Sequence, residues 1–133
     1  MRPLTYIAGR GRYRIFCRVF ATREGYIAHL MGGTRPHVGA VALGLPRPSL
    51  KENCMSATTS VLTLLGHKDD ELARPAAAKL AAGLNAPVVV VAGVHIDRAV
   101  PEELARLEAN TRRAVEGIIK VWHRELQSRG PSK

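Results

Sequence analysis

Two triplets of one kind, His67-Lys68-Asp69 and His95-Ile96-Asp97, carry the chemistry that this chain offers most plainly. An imidazole holds or moves a proton near neutral pH, and a carboxylate two positions on can fix its tautomer or join it on a divalent cation. Gly66 and Gly93 stand just before the triplets and let a backbone or a ligand come close. A second constellation is Arg35, His37, Arg47 and Ser49, from Thr34-Arg-Pro-His-Val-Gly39 and Pro46-Arg-Pro-Ser-Leu50. Arginine forks and a hydroxyl suit a phosphate dianion. Metal binding has weak support, because His67 and His95 come from separate segments and neither HxxxH nor HExxH occurs. Nucleophilic catalysis has less, since Cys54, Ser56 and Ser60 lie in no GxSxG elbow. The plainer reading makes Asp69 and Asp97 helix caps or turn formers and the Arg-Pro-Ser segments ordinary surface turns. The residues alone leave ligand and structural roles open.

The elements that must position these residues can be read from periodicity. Arg12 to Ala21 alternates, with Tyr13, Ile15, Cys17, Val19 and Ala21 on one side and Arg12, Arg14, Phe16, Arg18 and Phe20 on the other. Arg23-Glu24-Gly25 reads as a hairpin turn, Tyr26 to Met31 as a second strand and Val38 to Leu45 as a third, giving an antiparallel meander. Ser56 to Leu65, rich in Thr, Val and Leu, reads as a fourth strand. A helix over Asp70 to Leu84 follows, with Pro75 inside it. Val88 to Gly93 is a continuous apolar run, the mark of a strand covered on both faces. Pro101, Glu102 and Glu103 then start a long helix. Its apolar stripe, Leu104, Leu107, Thr111, Val115, Ile118, Trp122 and Leu126, reads as core and in part as a possible dimer seam. Val100 occupies the place of a capping residue without a side chain that can cap.

The expected order is β-β-β-β-α-β-α in a single domain over residues 1–133, with frayed ends before Tyr6 and after Gln127. It is an α/β two-layer sandwich, a mixed sheet of about five or more strands with two helices on one face. The fourth and fifth strands with the helix between them form a right-handed βαβ unit, so both end at one rim. That rim would collect both His-x-Asp triplets beside a helix N-terminus, where α/β sheets favour ligands.

Composition narrows the partners. The net charge is +9 and the pI is near 10.4. Residues 1–51 hold nine Arg or Lys against one acid, Glu24, so the excess sits there. It points to an anionic partner: nucleic acid, a phosphorylated ligand or an acidic protein surface. An RNA-binding module using Arg12, Arg14, Phe16 and Arg18 is the second choice, since no RNP1, GXXG or basic-helix motif accompanies them. Cys17 and Cys54 form no CxxC, the first residues show no signal peptide, and no apolar run reaches membrane-spanning length. A cytoplasmic location with no membrane partner is expected.

Five stretches taken together resemble one family: Arg35-Pro-His-Val-Gly-Ala-Val-Ala-Leu43, Pro46-Arg-Pro-Ser-Leu50, Ser56-Ala-Thr-Thr-Ser-Val-Leu62, Gly66-His-Lys-Asp-Asp70 and Ala92-Gly-Val-His-Ile-Asp97. They are similar to the LpdD family, over about Tyr26 to Val121. The resemblance implies a fold like that of proteasome assembly chaperones, a homodimer and no catalysis of its own. It implies a chaperone that binds reduced prenylated FMN transiently and hands it to a prenylated-FMN-dependent aromatic acid decarboxylase. A structural subunit of a decarboxylase complex is the alternative. The candidate cofactor-binding residues are Arg35, His37, Arg47, Ser49, His67, Lys68, Asp69, His95 and Asp97, with no metal ligand among them. The arginine-rich opening, Arg2 to Arg18, does not match the family pattern.

Overall fold

The computed structural model describes residues 2–35, 37–50, 53–63 and 69–129. The strands are β1 (Leu4–Ala8), β2 (Ile15–Ala21), β3 (Tyr26–Gly33), β4 (Ala40–Pro48), β5 (Met55–Thr63) and β6 (Val88–His95). The helices are α1 (Asp70–Leu84) and α2 (Pro101–Arg129), and a single 3-10 turn, Gly11–Tyr13, joins β1 to β2. The six strands form one mixed sheet in the order β1-β2-β3-β6-β4-β5. This is the expected α/β sandwich, with one strand more than the sequence reading placed.

Three expectations are corrected. Leu4 and Thr5 do not fray: they begin β1, which pairs antiparallel with β2 from Leu4↔Val19 to Ala8↔Ile15. The strand read from Arg12 begins at Ile15, because Arg12 and Tyr13 lie in the 3-10 turn. The meander is interrupted, since β6 enters between β3, which it parallels, and β4, which it opposes. Local pattern shows which residues extend but not which edges meet. The most apolar strand takes the centre, where both its edges are paired.

β5 and β6 both run antiparallel to β4, so they point the same way. The β5–α1–β6 crossover therefore steps over one strand. Strand pairing puts Ile15, Cys17, Val19, Ala28, Leu30, Val88, Val90, Ala92, Ala40 and Ala42 on one face, all buried. α1 packs on β4, β5 and β6 through Ala73, Ala76, Ala77, Leu80 and Ala81, and α2 on β1 and β2. The alanines let α1 approach the sheet closely. Pro75 removes one backbone donor inside α1 without ending it.

In α2 the stripe is core at its centre, where Leu107, Thr111, Val115, Ile118 and Trp122 are buried. Its ends, Leu104 and Leu126, are exposed. The Trp122 indole meets the Tyr26 ring edge-on at 5.0 Å. Burial raises the Tyr26 hydroxyl above its ordinary pKa and pushes the Cys17 thiol up to about 12.

Candidate functional site

The ends of β3 and β6 meet at one rim. After β3 the chain turns across the end of β6. The Thr34 N–H donates to the His95 carbonyl at 2.8 Å, and the Gly39 N–H donates to the Ala92 carbonyl at 2.8 Å. This crossing requires glycine where the chains touch. A Cβ on Gly93 would lie 1.4 Å from the His37 carbonyl oxygen, and one on Gly39 would lie 1.8 Å from Asp69 Oδ2. The loop thus lays His37 over the end of β6.

Asp69 joins three elements there. It stands at the start of α1, yet its side chain makes no capping bond. Instead Oδ1 accepts the Val94 N–H at 2.9 Å, and Oδ2 lies 3.0 Å from His37 Nε2. β4 stops pairing with β6 at Ala40↔Ala92, so the Asp69 carboxylate takes over the next donor on that edge. Only 5% of Asp69 is exposed, so this is an interior tie rather than a surface pair. His37 Nδ1 lies 3.0 Å from the Arg35 carbonyl oxygen. A carbonyl can only accept, which assigns a proton to Nδ1. An imidazolium would satisfy both oxygens with one donor each.

The second triplet closes on itself. His95 Nε2 lies 3.0 Å from Asp97 Oδ1, and the two imidazoles sit 6.0 Å apart, nearly perpendicular. Asp97 also receives Arg35 at 3.7 Å. Among the expected site residues, the structure therefore brings together Arg35, His37, Asp69, His95 and Asp97. His67 and Lys68 lie outside the described residues.

Arg47 and Ser49 are elsewhere. They stand at the far end of β4, where Arg47 Nε donates to Thr58 Oγ1 at 3.2 Å and the Ser49 N–H donates to the Cys54 carbonyl. Eight residues of extended chain from Gly39 to Arg47 span about 26 Å, too far for one small ligand to hold both. Grouping the two Arg-Pro segments treated neighbours in sequence as neighbours in space, and a strand between them undoes that.

Arg12 and Glu103 are the rim residues the sequence reading missed. Arg12 donates to the Asp97 carbonyl at 3.3 Å and pairs with Glu103 Oε2 at 3.3 Å. The Tyr13 hydroxyl donates to that oxygen at 2.8 Å, and the Val100 N–H donates to Glu103 Oε1 at 3.2 Å. The Tyr13 hydroxyl, then the Val100 N–H, hold Glu103 below the usual carboxylate pKa, with Arg12 and Arg106 adding charge. Glu103 thereby caps Val100, whose own side chain cannot. Its signal was a glutamate three residues after the cap position. Arg12 gave no comparable signal while it read as part of a strand.

Beside the rim a cleft of about 360 Å³ opens between α1 and α2. Its apolar walls are Leu72, Val94, Ile96, Ala99, Leu104 and Leu107, and Asp69, Glu71, Glu108 and His95 line it too. An apolar cleft near the guanidinium groups of Arg12 and Arg35 suits a ligand with an apolar body and an anionic end that lies at the rim. Among the described residues no group of three His, Cys, Asp or Glu is placed to hold a metal ion, and no helix is long and apolar enough to cross a membrane.

Comparison with known proteins agrees with this architecture. The family model for a prenylated flavin chaperone LpdD-like domain matches residues 9–123. A solved structure described as a novel chaperone complex for yeast 20S proteasome assembly shares the fold, with a TM-score of 0.55 at 15% identity. The match covers 95% of this chain and 99% of that one. No curated protein matches the chain.

Proposed function

On the premise that the chain belongs to the prenylated flavin chaperone LpdD-like family, we propose that it carries reduced prenylated FMN and passes it to a prenylated-FMN-dependent aromatic acid decarboxylase. The family's role is that of a chaperone, which is not catalytic. On this reading the protein works in the cytoplasm as a homodimer and holds the cofactor only in transit.

The observation that carries the reading is an apolar cleft at Asp69 and His95 beside a rim on which Arg12 and Arg35 stand among the carboxylates of Asp97 and Glu103. The cofactor has a phosphate and a broad apolar ring system, and the residues present fit both parts. Arg35 and Arg12 stand where an anionic group can be met by charge-assisted hydrogen bonds, while His37, with both ring nitrogens engaged, holds the loop that carries Arg35. The cleft walls, Leu72, Val94, Ile96 and Leu107, can exclude water from an apolar body. Asp69 and Asp97 orient the imidazoles. Arg12 is already shared with Glu103 and Asp97, so part of its bonding is exchanged when an anion arrives. Such an exchange keeps affinity modest, as a carrier that must release its cargo requires.

Anaerobic titration with reduced prenylated FMN, read by absorbance and native mass spectrometry, tests this. Ordinary reduced FMN and an oligonucleotide serve as controls. Saturable uptake of the prenylated form is expected, weakened at least about tenfold in Arg35→Ala and His95→Ala, the loss of one charged hydrogen bond. Absence of uptake overturns the carrier reading. Uptake unchanged in both variants removes the rim from it.

A further inference from the structure

Helix α2 carries charge on two sides, and the sides differ. Toward α1 both signs occur: Glu116 holds Lys79 of α1, and Glu108 and Arg112 stand at the groove between the helices. Toward β1 the charge is of one sign. There the Arg106 guanidinium lies 5.1 Å from the Tyr13 ring, Asn110 Nδ2 donates to the Tyr13 carbonyl at 2.8 Å, and Gly117 leaves room for the Tyr6 ring. Helical repetition carries this side on through Arg113, Lys120 and Arg124, at steps of seven, seven and four residues from Arg106. All four cations are exposed. Among the described residues the one acid on the stripe is Glu102, a turn before Arg106. Arg10 and Arg12, exposed at the turn before β2, extend the stripe toward the rim.

We infer that this stripe docks on an acidic face of the protein that receives the cargo. The inference rests on the carrier reading above and names the surface that the carrier uses for delivery.

Three observations favour this occupant. The first is charge. Arg113 bonds only to the Asn110 amide oxygen, and among the described residues no carboxylate pairs with Arg113 or Arg124. Their charge is uncompensated within the chain and open to an anionic partner. Exposed charges of one sign speed encounter and give little residence, which suits a contact that must form and part.

The second is place. Arg12 ties the stripe to the rim, donating to the Asp97 carbonyl and pairing with Glu103. Val100 and Leu104, 47% and 49% exposed, stand at the same end, and Leu104 is a wall of the cleft. A protein seated along the stripe therefore ends at the mouth of the cleft. From Arg106 to Arg124 the helix rises about 27 Å, which is about the width of a patch of roughly 800 Å², the usual share of one partner.

The third separates protein from nucleic acid. The Tyr13 ring lies under two guanidinium groups, Arg12 at 5.9 Å and Arg106 at 5.1 Å, and the Tyr6 ring backs onto Gly117, so neither ring stands free to stack on a base. Seven-residue steps place the arginines about 10.5 Å apart, whereas a nucleic-acid strand offers a phosphate about every 3.4 Å. The carboxylates of a protein surface are as sparse as the stripe.

The test follows cargo transfer. The full chain, loaded anaerobically with reduced prenylated FMN, is mixed with the apo form of a prenylated-FMN-dependent aromatic acid decarboxylase from the same organism. The second-order rate constant for transfer is read from absorbance and from recovered decarboxylation. It should fall at least about tenfold between roughly 50 mM and 500 mM salt. The double variant Arg113→Glu, Arg124→Glu should lower it at least about tenfold at the lower salt, with cofactor uptake by the chain unchanged. Replacing the same pair by lysine should keep transfer, as should Arg112→Glu on the other side of α2.

Transfer that ignores both salt and the double charge reversal overturns the inference and leaves the carrier standing. So does a slowing that the lysine pair shares, which would make the arginines structural. Loss of oligothymidylate binding in the double variant with transfer unchanged overturns it in favour of nucleic acid. A wild-type chain that takes up no cofactor, or gives none to the apoenzyme, ends the carrier reading itself, and the inference falls with it.

Discussion

The helix-covered face of the sheet is built largely from small side chains, Ala28, Ala40, Ala42, Ala92 and Cys17 among them, while the open face carries Phe16, Phe20, Ile27, Met31, Leu43 and Leu45. Both faces come from the same strands, since successive residues point to opposite sides. The difference shows what each face packs against. Small residues let α1 settle against the strands through its own alanines, with no room for error in position. Large residues standing free of a helix have reach to interleave with a second surface. The covered face is thus an interior already closed within one copy. The open face carries no helix among the described residues.

Truncation should separate the two faces most sharply. Leu30 is fully buried between β2 and β6 on the covered face. Leu30→Ala leaves a cavity there and should lower stability by roughly 2–5 kcal/mol. Ile27 lies three residues earlier on the open face and is 46% exposed. Ile27→Ala should change the stability of the monomer by less than about 1 kcal/mol. Urea titration of both variants beside the parent protein compares them. Equal losses would erase the distinction.

The alternation of Ile15 to Ala21, the apolar run at β6 and both helix starts could be read from local sequence, because each rests on side chains a few residues apart. The place of β6 in the sheet could not. It is decided by which edges pair, and Val89 must choose between strands some sixty and forty-five residues upstream in Tyr26–Gly33 and Ala40–Pro48. β1 was hidden for another reason. Leu4, Tyr6 and Ile7 put apolar side chains on both faces, so no alternation marks it. The site divides the same way. His95 and Asp97 interact two residues apart and were legible as a pair. Asp69 looked like a cap and instead serves Val94 and His37, partners reached only through the fold.

The rim lies where the two faces meet at the strand ends, and Gly93 is its closest point. A methyl group there meets the His37 carbonyl and displaces the loop. Gly93→Ala should destabilise the protein by about 2 kcal/mol and should abolish anion uptake at the rim even where the chain still folds. Asp69→Asn is gentler. The amide oxygen can still accept the Val94 N–H, but the charge facing His37 is gone. A loss of about 1–3 kcal/mol is expected, read as a lower midpoint in urea. A variant as stable as the parent would reduce the Asp69 tie to a bystander.

Acid should weaken the rim before it touches the covered face. The Tyr13 hydroxyl and then the Val100 N–H hold Glu103 below its ordinary pKa of 4.5. A carboxylate lowered in the folded state contributes stability that is fully present above the unfolded value. That contribution is lost as pH falls from about 4.5 through the lower folded value. Thermal midpoints measured from pH 6 to pH 3 should therefore fall across that window. Glu103→Gln should flatten part of the fall, and identical acid limbs in both proteins would place the sensitivity elsewhere.

The smallest effect is chemical rather than energetic, and it reports directly on whether the covered face is closed. Cys17 belongs to that face and is fully buried, with its thiol pushed up to about 12 by burial. Cys54 is exposed, beside the β4–β5 turn. Alkylation proceeds through the thiolate, so reactivity follows both access and pKa. With iodoacetamide at pH 8, the exposed Cys54 should label readily. Cys17 should label only as fast as the sheet opens, orders of magnitude more slowly. Peptide mass spectrometry of a time course distinguishes the two sites. Comparable rates at Cys17 and Cys54 in the native protein would mean that α2 lifts from β2 readily. The covered face would then be no more closed than the open one.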